Sequence, residues 1–205
     1  MTPTRVTVWT DPSCPWAWQA SKWLRALAAD GLIHIEWRLF SLEINAMREM
    51  DADGPVDFWG ACERHGESLV ALQLALHESR DAFEALYEAV GSRLHERRQE
   101  PSSELIRGAA AEARMPDIVD RALARPELAE EVLRAYDDAR GQSVFGVPTL
   151  RIGGSKVVYG PLIARAPEGD EARRLWEHTR WFIERPDFFE LKRWPRDVRP
   201  GDLAS

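Results

Sequence analysis

The sequence predicts an α/β protein, a mixed four-stranded sheet with flanking helices and a helical block inserted between a βαβ half and a ββα half. Three observations carry that reading. Residues 5–40 run strand, helix, strand; residues 55–141 are dominated by Ala, Leu, Glu and Arg at helical spacing; two short glycine-bounded strands then lead into one long amphipathic helix. A strand-helix-strand unit returns its second strand in the same direction as the first, so the first pair is parallel.

"RVTVWT", residues 5–10, alternates apolar and polar residues and reads as a strand. A helix follows over 15–29. Pro15 suits its first turn, and Ala20, Trp23, Leu24 and Leu27 make its core stripe before Gly31 ends it. "IHIEWRLF", residues 33–40, alternates again as the second strand. The middle of the chain carries four or five helices. In "SRDAFEALYEAVGSRLHERR" the residues Phe83, Leu86, Tyr87, Val90 and Leu94 share one face. "PSSELIRGAAAEARM" opens on a serine cap after the break at Glu100-Pro101, and "RPELAEEVLRAYDDARG" has Pro126 near its start and Gly141 after its end. "PTLRIGG" and "KVVYG" are two further strands with Gly153-Gly154 as the hairpin turn. "DEARRLWEHTRWFIE" closes the fold as an amphipathic helix with Ala172, Leu175, Trp176, Thr179, Phe182 and Ile183 on its stripe.

A chain of 205 residues with 44% hydrophobic residues can bury a substantial core. The organisation expected is one domain over 1–54 and 142–205, with a helical subdomain over 55–141 inserted into it. Acidic residues outnumber basic ones, 34 to 27, for a formal charge of -7, which argues against nucleic acid as a partner. The arginines are interleaved with glutamates, as solvated helix faces are. No apolar run is long enough for a secretory signal or a membrane span. With only Cys14 and Cys62, the chain is no disulfide scaffold, and a cytoplasmic setting is expected.

The chemistry concentrates in "WTDPSCPWAWQ", residues 9–19. Cys14 lies between a strand end and a helix start, where unsatisfied backbone N–H groups and the helix dipole favour a thiolate. Its expected state is therefore a partly exposed thiol with a pKa below the free value of about 8.5, the sulfur facing the amides of Trp16 and Ala17. The alternative for any free cysteine is a small buried hydrophobe, and Cys62, in "FWGACERHG", reads that way. "FGVPTL", residues 145–150, places Val147, Pro148 and Thr149 at the entry to a strand, and a proline there can follow a cis peptide bond. Trp18 is out of phase with the core stripe. Either it packs beneath the helical block, or Trp16 with Trp18 or Trp59 walls an apolar groove for a flat substrate. Asp11 reads as a turn residue, with a buried acid beside Cys14 as the alternative, and Asn45 as a residue within reach of the cleft.

"TDPSCPWAW", "FGVPTL" and the closing "FFELKR", with "GSRLHE" and "VVYGPLIARAPEGDEARRLW", resemble the DsbA family of thioredoxin-fold proteins. The likeness is greatest to its cytoplasmic actinobacterial branch, which includes mycothiol-dependent reductases such as the nitroreductase with a Cys-Pro-Trp-Cys site. The resemblance implies a thioredoxin fold, with Cys14 as the catalytic nucleophile, Pro148 as the cis-proline and Trp16 as the tryptophan inside the motif. It also implies His95 as a histidine of the insertion near the cleft. Pro15, Trp16, Ala17, Val147, Pro148, Thr149 and His95 are then the residues expected around substrate and thiol. No metal and no tightly bound cofactor are expected. The partners implied are a low-molecular-weight thiol of the mycothiol or glutathione type and a small electrophilic or disulfide substrate.

Ala17 departs from that pattern, for it stands where the family carries its resolving cysteine. A dithiol enzyme closes its cycle when the second thiol attacks the mixed disulfide formed by the first, and alanine has no sulfur. Three readings are open: a monothiol enzyme resolved by an external thiol, an enzyme that activates a thiol without redox change, or a site whose cysteine was deliberately replaced. The first leads. A thiol-dependent isomerase or transferase, and a catalytically silent ligand-binding protein, are the alternatives.

Overall fold

Apolar residues on both faces of the first strand draw it into the middle of the sheet. In the computed structural model, which describes residues 2–50, 54–190 and 200, β1 (Thr4–Thr10) lies between β2 (Ile33–Leu39) and β3 (Thr149–Ile152), with β4 (Val158–Tyr159) beyond β3. β1 and β2 are parallel, Thr4 opposite Ile33 and Thr10 opposite Leu39. β3 runs antiparallel to β1, Val6 opposite Ile152 and Trp9 opposite Thr149. β1 is buried from Val6 onward, as a strand covered on both faces must be. β2, at the edge, buries only Ile33, Ile35, Trp37 and Leu39.

Helix α1 (Pro15–Ala29) crosses between the parallel strands and buries Ala20, Trp23, Leu24 and Leu27. The Trp23 Nε1–H donates to the Ala172 carbonyl at 3.0 Å, which ties α1 to the closing helix α9 (Gly169–Glu184). The β3–β4 connection is longer than the two-residue turn expected from Gly153-Gly154. The strands pair at Leu150 and Val158, and the Ser155 amide folds back to the Ile152 carbonyl at 3.0 Å. Gly153, at φ +53°, supplies the left-handed residue of that turn. Of "FFELKR", residues 191–193 lie outside the described residues.

Between β2 and β3 the described chain is helical: α2 (Leu42–Met50), α3 (Phe58–Ala61), α4 (Gly66–Glu78), α5 (Arg80–Gly91), α6 (Ser103–Glu112), α7 (Ile118–Leu123) and α8 (Glu127–Gly141). Six of these fall within 55–141, not four or five, because α3 and α7 are too short to leave a periodic stripe. The single face expected from Phe83 to Leu94 holds through α5, after which the ladder widens into a π-helical turn, Ser92–Glu96. One continuous apolar cluster joins sheet and helices, with Val6, Val8 and Leu150 in the same core as Trp18, Phe83, Tyr87 and Val90. Most ion pairs lie at the surface, where each contributes about 0–1 kcal/mol. No helix among the described residues is long and apolar enough to cross a membrane.

Candidate active site

The loop that carries Cys14 leaves the C-terminal end of β1 and is gripped from two sides. Asp11 is buried, and its carboxylate works within and across the loop: Oδ1 accepts from the Ser13 amide at 2.7 Å, and Oδ2 accepts from the Leu42 amide at the start of α2, also at 2.7 Å. It is thus both turn residue and buried acid. Burial pushes its carboxyl above the usual carboxylate range, against the pull of these donors. From α5, the Tyr87 hydroxyl donates to the Asp11 carbonyl at 3.3 Å and pairs with the Thr10 hydroxyl at 2.6 Å. From the π-helical turn, His95 Nε2 lies 2.8 Å from the Pro12 carbonyl. A carbonyl only accepts, so the proton sits on Nε2. Burial lowers the pKa of His95, which keeps its ring neutral.

Cys14 is the N-cap of α1, and its Sγ accepts from the Ala17 amide at 3.4 Å. Its S–H donates to the Val147 carbonyl at 3.6 Å. The Val147–Pro148 peptide bond is cis, as is Gly160–Pro161. The Thr149 hydroxyl donates to the Gly146 carbonyl at 2.7 Å, and the Gly160 amide to the Pro148 carbonyl at 2.8 Å, so the loop is pinned at both ends. Chain positions 133 residues apart therefore meet at the sulfur.

The amide donors stand where the sequence placed them, but the exposure and acidity expected of Cys14 do not hold. The residue is 6% exposed, and burial pushes its thiol up to about 11. The amides of Ala17 and Trp16 pull the other way and the charge on Asp11 adds to the rise. Loss of solvation outweighs the helix start. Cys62 is buried too, with the Ser41 hydroxyl 3.6 Å from its sulfur, and burial pushes it up to about 12. Both cysteines are free.

Pro15 occupies the first position of α1, Trp16 is half-buried beside it, and Ala17 is buried. Trp18 packs beneath the helical block, and the groove it edges is lined by charged residues such as Lys22, Glu88, Glu96 and Arg97 rather than by Trp16 or Trp59. Trp18 itself is 2% exposed, its ring is stacked with His95 at 6.2 Å and tilted against Tyr87 at 6.1 Å. Trp59 packs on Phe58 and beside Gly66. Asn45 is turned to other work, donating to Glu49 at 2.9 Å and accepting from Tyr136 at 3.1 Å. Tyr87 is the contact that sequence reasoning passed over, since it sits on an apolar stripe. The signal was there, for a buried tyrosine hydroxyl needs a partner. No cluster of three or more His, Cys, Asp or Glu side chains among the described residues is arranged to hold a metal ion.

Residues 13–193 match the family model described as Rv2466c-like, mycothiol-dependent nitroreductase Rv2466c. The chain is 30% identical over 203 residues to the uncharacterized protein Rv2286c of Mycobacterium tuberculosis, covering 95% of this chain and 84% of that protein. Its fold is similar to the probable DsbA oxidoreductase SCO1869 of Streptomyces coelicolor, with a TM-score of 0.55 at 20% identity over 95% of this chain and 97% of that one. It is also similar to the cytosolic disulfide reductase DsbM of Pseudomonas aeruginosa, solved with GSH, with a TM-score of 0.59 at 14% identity over 86% and 99% of the two chains. The sheet, its order and these superpositions make the fold that of the thioredoxin-like DsbA proteins.

Proposed function

The chain belongs to the Rv2466c-like family of mycothiol-dependent nitroreductases, and from that membership and the surroundings of Cys14 we propose that it is a monothiol reductase resolved by an external thiol. Membership makes it an enzyme of thiol-dependent redox chemistry. The observation that carries the finer reading is the pairing of a helix-start sulfur with alanine at the position of its resolving partner.

In the first step the Cys14 thiolate attacks the small-thiol sulfur of a mixed disulfide between the substrate and a low-molecular-weight thiol. A Cys14 mixed disulfide forms, and the substrate, the half released in reduced form, leaves as a thiolate that takes up a proton. In the second step an external thiolate attacks the outer sulfur of that mixed disulfide, a new small disulfide leaves, and Cys14 is returned. When the substrate is a small electrophile, two external thiols supply the two electrons it accepts and end as their disulfide. The amides of Ala17 and Trp16 stabilise the sulfur anion in both steps. Burial opposes it, so attack requires the cleft to open and admit water or substrate to Sγ. His95 and Tyr87 are positioning residues, holding the carbonyls of Pro12 and Asp11 and with them the loop that presents the sulfur. A thiol of the mycothiol or glutathione type and a chain with two free cysteines fit a reducing cytoplasm.

The missing sulfur also suits a thiol-dependent isomerase or transferase, in which Cys14 helps activate a bound thiol and no disulfide turns over. Membership of a reductase family favours the first reading. One experiment separates the two. The protein is incubated with mycothiol disulfide and, separately, with glutathione disulfide, and its intact mass is followed. The expected result is one thiol adduct on Cys14, absent in Cys14→Ser, that decays at a rate first order in added thiol. An unmodified Cys14, or release independent of added thiol, would overturn the monothiol reading.

A further inference from the structure

The loop that contributes the Val147 carbonyl to Cys14 also carries an apolar feature facing water. Phe145 is 58% exposed and Tyr159 41% exposed, with ring centroids 5.0 Å apart and planes tilted by 38°. The two rings flank Gly146, and a Cβ on that glycine would lie 3.2 Å from the Tyr159 ring. Gly146 therefore lets the ring lie against the backbone. The ledge is rigid at its base, where Thr149 holds the Gly146 carbonyl and the Gly160 amide holds the Pro148 carbonyl. It is also close to the nucleophile. Val147 touches Sγ through its carbonyl, and Phe145 is two residues away, a chain span of at most about 7 Å.

We propose that Phe145 and Tyr159 form a seat for the flat face of an aromatic substrate, and so are positioning residues for the reaction at Cys14. The inference rests on the reading of Cys14 as the reacting group. Exposed rings so near a sulfur leave apolar area in water unless something covers it. The size of the area decides what covers it. With about 150–250 Å² per aromatic side chain, the exposed part of the pair is roughly 200 Å². A stable protein partner needs about 800 Å² from each side, whereas a one- or two-ring molecule covers no more than this ledge offers. Aromatic rings prefer offset or tilted neighbours to perfect face-to-face stacks, and the pair is itself tilted by 38°. A pre-formed platform also spares the ordering cost of binding.

Ligand-observed NMR titration of the whole protein with 1-naphthol and with its saturated counterpart decahydro-1-naphthol tests the seat. The parent should bind the planar probe more tightly. Phe145→Ala and Tyr159→Ala should each weaken naphthol binding by roughly three- to tenfold and decahydronaphthol binding by less than about twofold. Unchanged naphthol affinity in both variants, equal weakening of both probes, or no saturable binding by the parent would overturn the proposal. Phe145 is exposed, so its truncation leaves the core intact, and an unchanged melting midpoint verifies that. Binding is read without any reaction of the sulfur. An inert Cys14 would therefore sink the reductase reading while leaving this result to stand or fall by itself.

Discussion

At Cys14 two forces of opposite sign act on one proton. The Ala17 amide at 3.4 Å and the Trp16 amide favour the thiolate, while burial favours the thiol and prevails, setting the pKa near 11. Alkylation by iodoacetamide follows the thiolate, so its rate should climb about tenfold per pH unit through neutrality and level off only near 11. A plateau below pH 8 would show that the helix start wins instead. The linkage has a definite sign: an acid whose folded pKa exceeds its ordinary value keeps its proton after the unfolded chain has lost it. Stability therefore falls as pH rises from about 9 to about 11, and Cys14→Ser should remove that part of the decline. The helix-start position of Cys14 was legible in Pro15, Trp16 and the stripe that follows them. Its burial was not, because the covering carbonyl belongs to Val147, which no local spacing connects to residue 14.

Among the elements, α5 and the π-helical turn after it decide how the helical block meets the loop that carries Cys14. Gly91, the last residue of α5, lies under the Trp18 ring, and a Cβ there would come within 2.3 Å of it. Ring and backbone are both fixed, so overpacking should dominate the small gain in helix propensity. Gly91→Ala should cost about 1–3 kcal/mol, a fall in melting midpoint of roughly 2–4 °C per kcal/mol at this chain length. Gly141→Ala, at the end of α8 with nothing within 4 Å of the added carbon, is the control and should change little. A Gly91→Ala protein as stable as the parent would mean that Trp18 has room to move. The apolar stripe from Phe83 to Val90 announced α5, yet it gave no sign of the π-helical turn that brings His95 to Pro12. One widened turn shifts the face of all that follows without changing any residue type. Helix α2 escaped notice for a related reason: its first amide is capped by Asp11, thirty-one residues upstream.

Over the whole molecule, a single apolar core joins the sheet to the helical block, and both contribute to the loop at 11–14. Tyr87 and His95 hold it from one side, and Val147 meets its sulfur from the other. The βαβ start, the ββα close and the family likeness were readable because each rests on short-range pattern. What the sequence alone left open was how electrons leave a site with one sulfur. Ala17→Cys addresses that. Position 17 is buried three residues from Cys14, and its amide already lies 3.4 Å from the sulfur. A thiol there adds one heavy atom at the spacing of a Cys-x-x-Cys pair. In the parent, the mixed disulfide on Cys14 should persist until external thiol is added, for the Cys62 sulfur sits against Ser41 with its own proton held by burial. In Ala17→Cys the new thiolate should attack Cys14 and expel the bound thiol at a rate independent of its concentration. The variant should then reduce insulin disulfides many times faster than the parent. Thiol-independent release from the parent would identify Cys62 as a resolver. A variant that releases no faster would instead mean that the cleft is shaped for thiol activation without disulfide turnover, because the second sulfur would be present and still unable to reach the first.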